Sequence, residues 1–404
     1  MLKSIRKDIL HIPYGYINFR IKHHKKAPAS MTAQDAEVLL EQVYQNGLSR
    51  ENPVGWQEPV GRKEIPKDNG EYGNHEEQPD LSLIVPVYNA EAYLEACLKS
   101  LIHQKTSYRY EIMCVDDGST DASGSLLDQY AEQYDFLRVL HQENSGIAAA
   151  RNRGLEASTG EYVGFIDNDD TVSEDYVQKL LDAARRNSAD FIKSGYAVCL
   201  EPGGYCNNII KPFEKIETAD KAKLLQYDGY IWGGIQKRTL WSDIRFPEGY
   251  WYEDMITRFL LFRKCDIFVN LPDVIYFKRE HENSASRVLW KKDDVKCLDQ
   301  FFLVKELLTV SKNIGLGGAD ELLYRILLSE LGVFLYKRTV ILDTKIREAV
   351  FVASAKLVNY YQPANDEKFC LTDYERNMLQ CFQEGDFKLW KLLNIQYDIA
   401  ARIK

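Results

Sequence analysis

The stretch Tyr162-Val-Gly-Phe-Ile-Asp-Asn-Asp-Asp170 decides how the rest of the chain is read. Its apolar beginning has the composition of a buried β-strand, and carboxylates follow at the point where that strand would end. Carboxylates at the mouth of a buried strand need a positive charge to meet. An Asp-x-Asp pair can bind Mg²⁺ or Mn²⁺, because hard cations take carboxylate oxygens and share their remaining positions with substrate phosphates. The stretch therefore points to a nucleotide-diphosphate enzyme, and a plain helix-capping turn is the alternative.

The sequence on the N-terminal side of this stretch alternates between apolar strands and amphipathic helices. Such alternation predicts an α/β fold, in which a mostly parallel sheet carries helices on both faces. Ligands of these sheets bind beyond the carboxyl ends of the strands, so the polar segments that follow the strands are expected to meet in one site. The predicted strands are Leu81–Val87, Glu111–Val115, Arg138–Leu140 and Tyr162–Ile166, and the predicted helices are Glu91–Gln104, Leu126–Tyr134 and Ile147–Ala157.

Four polar motifs stand at the ends of these strands, and their order carries a resemblance. They are Pro86-Val-Tyr-Asn89, Val115-Asp-Asp-Gly-Ser-Thr-Asp121, Asn144-Ser-Gly-Ile-Ala-Ala-Ala-Arg-Asn152 and Phe165-Ile-Asp-Asn-Asp-Asp170. Each motif is weak alone, but together they resemble the family 2 glycosyltransferases, and the resemblance extends over residues 81–287. It implies a GT-A fold, in which a Rossmann-like half binds a nucleotide sugar and the following half binds the acceptor. It also implies an inverting transferase of the type that builds bacterial polysaccharides.

The resemblance implies a donor site at the first three motifs. Asp117 matches the acid that hydrogen-bonds the uracil imide, because a carboxylate accepts that N–H well. The alternatives are a turn and helix cap at residues 116–121, and an ion pair between Arg151 and a surface acid. Gly146 is expected to let the backbone approach the ligand. The further nucleotide contacts that the resemblance implies are Pro86, Tyr88, Asn89, Asn144, Gly146 and Arg151.

The acidic triplet matches the metal-binding motif of the same family. Asp169 is expected to bind the metal directly, and Asp167 is expected to face the ribose or a metal-bound water. The resemblance makes Mn²⁺ or Mg²⁺ the cofactor, which would neutralise charge on the departing nucleotide as a Lewis acid. Asp170 is expected either to assist or to cap the helix that begins near Ser173.

A second acidic pair resembles the acceptor side of the family. It lies in Trp251-Tyr-Glu-Asp254, shortly after Arg245-Phe-Pro-Glu-Gly249. Asp254 is expected near a helix N-terminus, where the dipole stabilises a carboxylate that is still able to take a proton. We therefore expect Asp254 to be the general base and Glu253 to orient it or the acceptor. The alternative is a charge pattern that serves only the helix.

The segment Tyr276-Phe-Lys-Arg-Glu-His281-Glu-Asn-Ser284-Ala-Ser286-Arg287 resembles the part that closes over the donor. Cations suit phosphate oxygens, so its basic side chains are expected to reach the diphosphate, with a basic surface loop as the alternative. These side chains are Lys278, Arg279 and His281. Aromatic faces for a sugar ring, or else core side chains, are expected at Tyr230, Trp232 and Trp251.

Composition narrows the function classes. The chain has 404 residues and a formal net charge of -9, which argues against a general nucleic-acid binder. Its eight Cys lack any C-x-x-C spacing, so reduced thiols are expected. No long apolar run or signal peptide is visible, so we expect a cytoplasmic protein. Residues 1–30 carry seven Lys and Arg against one acid, interleaved with apolar residues. They are expected either to contact the inner face of the membrane or to pack on the main domain.

Three regions are predicted along the chain. Residues 1–79 form a basic extension and a linker, residues 80–290 the GT-A domain, and residues 291–404 a C-terminal helical domain. The expected function is transfer of a hexosyl or N-acetylhexosaminyl group from a nucleotide-diphosphate sugar, with UDP favoured, to a glycan or lipid-linked glycan. A non-catalytic nucleotide-sugar or glycan binding module is the alternative. A sugar-1-phosphate nucleotidyltransferase ranks last, because Tyr88-Asn-Ala90 stands where its Gly-rich loop would be. The oligomeric state is open.

Overall fold

The structure is a computed structural model, and it describes most of the chain. The predicted linker between residues 52 and 77, the first 13 residues and the donor-closing segment after residue 281 lie outside the described residues. The described residues are 14–51, 78–200, 205–281, 295–363 and 369–403.

The described residues fall into two compact units. The sheet unit contains residues 78–249 and 253–281, and the helical unit contains residues 14–51, 250–252 and 295–403. Both units thus use residues from separate parts of the sequence. The domain limits of 1–79, 80–290 and 291–404 stay a prediction.

The sheet unit is built on one mixed sheet with the strand order β3-β2-β1-β4-β9-β6-β10-β5. Strand β7 pairs with β6 and strand β8 pairs with β10 at the side of this path. The strands are β1 Leu81–Val87, β2 Tyr110–Asp116, β3 Leu137–His141, β4 Tyr162–Phe165, β5 Thr171–Val172, β6 Phe191–Leu200, β7 Tyr205–Ile209, β8 Glu214–Glu217, β9 Gly234–Lys237 and β10 Ile267–Glu280.

Strands β3, β2, β1 and β4 run parallel, as the sequence predicts. Every residue of β1 is buried, because a parallel strand is covered on both faces and needs an apolar side chain at nearly every position. The helices that cover this half present one apolar face to it; in Leu94–Ile102 that face includes Cys97, Leu98 and Leu101. The other helices of the sheet unit are Ser123–Gln133, Ile147–Ala157 and Tyr176–Asn187, with shorter helical segments at Thr218–Gln226, Arg238–Trp241, Glu253–Met255, Thr257–Leu261 and Phe262–Lys264.

Strand β9 joins the parallel half of the sheet to the rest. It pairs antiparallel with β4 on one side and with β6 on the other. Beyond it, β6 and β10 run parallel to each other, and their register shifts between Asn270 and Val274. Pro272 lies within this irregularity, which explains why the sequence pattern did not reveal the 14-residue strand β10.

The expectation of reduced thiols is wrong for one pair. Cys199 and Cys206 form a disulfide between facing positions of β6 and β7. Their spacing matches no metal or redox motif, and only the antiparallel register of the two strands brings them opposite each other. Among the described residues, the other six cysteines are not part of a disulfide.

The helical unit has a dense aromatic core. Trp390 is fully buried in the last helix and donates from Nε1 to the carbonyl of Gly332 at 2.9 Å. Ile17 packs against Leu392 and Ile399, so the first described helix lies on the last one. The helices of this unit are Tyr14–Lys22, Ala33–Glu51, Asp299–Asn313, Glu321–Ser329, Glu330–Phe334, Leu335–Thr339, Thr344–Tyr360, Asp373–Glu384 and Phe387–Ile403, preceded by the turn Val295–Leu298. In the part of the chain that the structure describes, none of the helices has the length and apolarity that a membrane span needs.

We predict that Gly234→Ala destabilises the sheet unit, because Gly234 sits where β9 meets β6. A Cβ at this position would lie 2.1 Å from the carbonyl oxygen of Ile192, which is backbone and cannot move aside. The expected loss is more than about 2 kcal/mol in the free energy of unfolding, measured by thermal and denaturant melts.

Gly229→Ala is the matched control within the same unit. Its Cβ would meet only the flexible side chain of Arg258, at 3.2 Å. We expect a change of no more than about 0.5 kcal/mol. Equal effects of the two substitutions would show that the approach of β9 to β6 is not a tight constraint.

Candidate active site

The end of β2 is organised by the buried side chain of Asp117. Its Oδ1 accepts from Gln142 Nε2 at 2.7 Å and from the amide of Ser145 at 2.8 Å, and its Oδ2 accepts from the amide of Gly146 at 2.8 Å. The predicted uracil-binding acid therefore also holds the loop after β3 in place. A carboxylate oxygen accepts about two hydrogen bonds, so in the described residues Oδ2 keeps capacity for a ligand N–H.

The end of β1 is tied to the neighbouring strand ends through its backbone and Asn89. Asn89 has a positive φ of 48°, and its Oδ1 accepts from the amide of Thr120 at 2.8 Å. The carbonyl of Pro86 accepts from Asn168 Nδ2 at 2.9 Å, which connects β1 to the acidic stretch after β4. Tyr88 is exposed beside these contacts. The structure thus brings together three of the four predicted motifs at this point.

The loop after β3 completes the group. Gly146 has a φ of 89° and precedes the helix Ile147–Ala157. A Cβ at Gly146 would meet nothing within 4 Å, so the backbone angle favours glycine here while the space beside it stays open. Asn144 is exposed, and its amide would lie 2.8 Å from a Cβ at Gly118, another positive-φ glycine. The β2 and β3 loops therefore touch through backbone.

Arg151 is buried and joins the acidic triplet to the second acidic pair. Its Nη2 donates to Asp167 Oδ1 at 2.9 Å and its Nη1 to Glu253 Oε1 at 2.5 Å. Burial alone would lower the pKa of Arg151, but the charges of Asp167, Glu253 and Asp254 outweigh it and raise that pKa. Arg151 was predicted as a nucleotide contact, with a surface ion pair as the alternative, and the structure places its buried guanidinium between two predicted site acids.

The three acids after β4 have different surroundings. Asp170 is buried and accepts from Tyr276 Oη at 2.6 Å and from the amide of Arg279 at 2.7 Å. Burial, together with the charges of Asp167 and Asp169, raises the pKa of Asp170 well above its ordinary value. Asp170 therefore fixes strand β10 to the triplet, which neither of its two predicted roles described.

Asp169 faces the basic end of β10. Its Oδ2 lies 3.0 Å from His281 Nε2, and its carbonyl accepts from Arg279 Nε at 2.9 Å. Burial and the charge of Asp167 raise the pKa of Asp169, despite the opposing contact with His281. Two of the three predicted basic residues thus reach the triplet. Lys278 lies elsewhere, with its ammonium 5.8 Å from the ring centres of Tyr230 and Trp232.

A metal ion fits the Asp167 and Asp169 pair. The charge of Asp167 helps to raise the pKa of Asp169, and a divalent cation would relieve that repulsion. Among the described residues, no three Asp, Glu, His or Cys side chains form a complete metal-binding group on their own. A cation held by two carboxylates would therefore take its other ligands from substrate phosphate and water, as Mg²⁺ commonly does.

Asp254 is partly exposed and lies in the first turn of the helical segment that begins at Glu253, as predicted. Asn152, to which the sequence analysis gave no role, holds the segment that precedes this turn in the sequence. Asn152 accepts from the amide of Phe246 at 2.8 Å and donates to Glu248 Oε1 at 2.9 Å. In the sequence, the position of Asn152 directly after Arg151 in the third motif is the feature that could have indicated this role.

The structure places the three predicted aromatic side chains in different parts of the protein. Trp232 is buried and stacked between the rings of Tyr230 and Tyr276, at centroid distances of 4.6 and 4.8 Å. Tyr230 is 38% exposed at the outer end of this stack. Trp251 belongs to the helical unit, where its amide donates to the buried Asp299 at 2.7 Å.

The fold and the converging strand ends define a GT-A protein. The solved structure of S. aureus TarS residues 1–349 in complex with UDP-GlcNAc matches with a TM-score of 0.60 at 18% sequence identity, covering 80% of this chain and 92% of that one. The predicted α/β GT-A fold with a C-terminal helical region is therefore confirmed.

Sequence comparison then places the chain in a family. Residues 82–237 match Glycosyl transferase family 2. The glycosyltransferase EpsJ of Bacillus subtilis is 31% identical over 256 residues, which span 60% of this chain and 72% of EpsJ. TuaG of the same organism, named for teichuronic acid biosynthesis, is 31% identical over 215 residues, or 53% of this chain and 84% of TuaG. The chain belongs to glycosyl transferase family 2, as its four motifs indicate.

We predict a strong energetic coupling between Arg151 and Glu253, because their ion pair is buried and removing either partner leaves an uncompensated charge. In a double-mutant cycle of Arg151→Met and Glu253→Gln, the expected coupling in the free energy of unfolding is about 1–3 kcal/mol.

The matched control is the exposed ion pair between Arg185 and Glu161, in which an arginine also bridges two acids. Arg185→Met with Glu161→Gln is expected to show a coupling of about 0.2–1 kcal/mol, lowered further by salt. A coupling at Arg151 no larger than at Arg185 would contradict its role as the central link.

Proposed function

We propose that this protein is an inverting, metal-dependent glycosyltransferase that moves a sugar from a UDP-sugar to a hydroxyl of a glycan or lipid-linked glycan. The single observation that carries the proposal is the buried guanidinium of Arg151 between Asp167 and Glu253. It holds the acids of the donor motif beside the acids of the acceptor motif. Such a juxtaposition is what a transfer between two substrates requires.

The donor half of the proposal rests on the strand ends of the sheet unit. Asp117 accepts a hydrogen bond from the imide N–H of uracil through its carboxylate, while Tyr88 and Asn89 frame the base and ribose. Asn144 and Gly146 add backbone and amide groups on the other side of the nucleotide. The fold neighbour TarS holds UDP-GlcNAc in its crystal structure, which supports a UDP-sugar as the donor class and an N-acetylhexosamine or hexose as the sugar.

Asp169 and Asp167 would hold the Mn²⁺ or Mg²⁺ ion, whose chemistry when bound is to offset the charge of the leaving diphosphate. Arg279 lies against Asp169 and adds positive charge at the same place, and His281 contacts the Asp169 carboxylate. Charge developing on the departing nucleotide is thereby met by groups that are already oriented by β10.

The acceptor hydroxyl is activated by Asp254. Its carboxylate takes the hydroxyl proton while the oxygen attacks the anomeric carbon, and the bond from that carbon to the diphosphate breaks. Because attack comes from the face opposite the leaving group, one displacement inverts the anomeric centre. Glu253, held by Arg151, fixes the helical turn from which Asp254 projects.

The cellular setting is cell-surface polysaccharide synthesis at the cytoplasmic face of the membrane. The naming of TuaG for teichuronic acid biosynthesis supports the acceptor class. The first described helix carries exposed aromatic side chains, Tyr16 and Phe19, beside Arg20 and Lys22. Aromatic and basic side chains on one exposed helix suit the surface of an anionic membrane.

A non-catalytic nucleotide-sugar or glycan binding module on the same fold is the second candidate. The shared position of Asp167, Glu253 and Asp254 around Arg151 favours the enzyme, since binding alone does not call for a base beside the donor. Release of UDP from a panel of UDP-sugars, with and without Mn²⁺, separates the two functions, because a binding module would release none.

We predict that Asp254→Asn abolishes transfer but preserves donor binding. Loss of a general base typically lowers a rate by about 10²–10⁴. The measurements are UDP release from the UDP-sugar that turns over and UDP affinity by calorimetry, which should stay within about twofold. Asp220→Asn, which alters an exposed acid paired with Lys223, is the control and should change neither. Normal turnover by the Asp254 variant would remove this residue from the mechanism.

We predict that Asp169→Asn removes the dependence on divalent cations. In the unaltered protein, EDTA should lower UDP affinity and UDP release, and Mn²⁺ should restore both. The variant should show at least a tenfold loss, on the order of 1.4 kcal/mol, with little response to Mn²⁺. Asp175→Asn, at a surface pair with Lys179, is the control. Full activity of the unaltered protein in EDTA would exclude the metal from the reaction.

A further inference from the structure

A column of three stacked rings leads from the acidic triplet to the surface of the sheet unit. Tyr276 forms its inner end, because its hydroxyl donates to Asp170 at 2.6 Å. Trp232 lies on Tyr276 with an interplanar angle of 15°, and Tyr230 lies on Trp232 with an angle of 11°. Among the described rings of the column, Tyr230 lies farthest from the triplet and is 38% exposed. The column therefore ends in an aromatic face close to the proposed site.

The column is held rigidly by a buried cation. Lys193 is 3% exposed, and its ammonium donates to Asp228 and to the carbonyl of Tyr230, both at 2.8 Å, and to the carbonyl of Trp232 at 3.3 Å. The edge of Trp232 is covered by Tyr196, whose ring stands at 90° to it. Because the buried ammonium of Lys193 donates to two backbone carbonyls, it fixes the backbone at residues 230–232. Tyr230 is thus preoriented in the way that binding sites require.

Lys278 adds a positive charge beside the two outer rings of the column. Its ammonium lies 5.8 Å from the ring centres of both Tyr230 and Trp232. In the part of the chain that the structure describes, the ammonium of Lys278 has no carboxylate partner and lies near these two rings. An ammonium over an exposed ring keeps most of its capacity to bind an anion. The aromatic face and the cation together form a small composite surface.

We propose that Tyr230 and Lys278 form a subsite for an acidic saccharide, with the sugar ring stacked on Tyr230 and its carboxylate or phosphate group paired with Lys278. The identification of this saccharide as the acceptor rests on the proposed transferase function. Tyrosine supplies a large, rigid face at little cost in conformational entropy, and the ammonium selects for a negative charge. The subsite thus makes an anionic glycan the preferred acceptor class.

The anion that Lys278 binds has two sources, the acceptor and the donor diphosphate, and the strand geometry favours the acceptor. Side chains alternate between the two faces of a strand, so Lys278 shares a face with Tyr276, whereas Arg279 and His281 project differently. Arg279 and His281 contact Asp169, where the diphosphate is expected. The ammonium of Lys278 instead lies near the rings of Tyr230 and Trp232.

The test measures binding of D-glucuronate and glucose 6-phosphate to the full chain by saturation-transfer NMR. Neutral glucose is the reference ligand. We expect both acids to bind at least about fivefold more tightly than glucose, with an affinity that salt lowers. Tyr230→Leu and Lys278→Gln should each weaken glucuronate binding by at least about fivefold. Both variants should keep UDP affinity, measured by calorimetry, within about twofold of the unaltered protein.

Two matched controls stand in the same unit. Phe213→Leu alters another exposed aromatic side chain, and Lys211→Gln alters another lysine that lies over a ring, that of the buried Tyr227. Neither should change glucuronate binding. If Lys278→Gln lowers UDP affinity tenfold and leaves glucuronate binding intact, the anion is the donor diphosphate and the subsite is refuted. Equal binding of glucose and the two acids would refute it as well.

The readouts keep this inference separate from the proposed function. UDP release from a UDP-sugar without any binding of the acids removes the subsite and leaves the transferase. Binding of the acids that depends on Tyr230 and Lys278, without release of UDP from any UDP-sugar, supports the subsite and refutes the transferase.

Discussion

The site depends on one buried guanidinium. Arg151 is 3% exposed, and a charge so far from water is tolerated only when its hydrogen bonds are met by opposite charges. Asp167 and Glu253 accept from its two terminal nitrogens, from segments that lie 16 and 102 residues away along the chain, whereas its buried Nε has no hydrogen-bond partner among the described residues. The helix that carries Arg151 starts at Gly146, whose amide is fixed by Asp117. Asp117, Asp167 and Glu253 are therefore parts of one connected arrangement, and a shift of that helix would disturb all of them.

The antiparallel strand β9 lets the sheet extend beyond β4, and the strands added there form a second side of the site. Because β9 runs antiparallel to both neighbours, strands β6 and β10 continue the sheet past β4 and bring the end of β10 to the acidic triplet. Asp170 secures this closure by accepting from the side chain of Tyr276 and the amide of Arg279. The same strand then sends Tyr276 toward Trp232 and Arg279 toward Asp169. One strand thus serves the proposed diphosphate position and the aromatic column at once.

The sequence predicted the first half of the sheet unit well, and the reason is physical. Parallel strands such as β1 are buried on both faces and read as unbroken apolar runs, and the polar motifs mark their ends directly. Strand β10 was not visible, because Pro272 and the register shift interrupt its pattern. Local patterns also carry no information on which distant acid an arginine meets, so the true partners of Arg151 could not be derived. Asn152 was overlooked for the same reason, since its contacts at Phe246 and Glu248 are 94 and 96 residues away.

The three acids after β4 show how neighbouring residues of one type acquire different tasks. Their charges repel one another, so the fold can keep them close only by giving each a separate means of compensation. Asp170 is buried against Tyr276, with its pKa raised well above the ordinary value by burial and by the other two acids. Asp167 is matched by Arg151, which leaves Asp169 with the contact to His281. Burial and the charge of Asp167 still raise the pKa of Asp169, so the groups around its carboxylate do not fully compensate its negative charge. That remaining charge, at the edge of the site nearest the expected diphosphate, is the physical reason to place a divalent cation there.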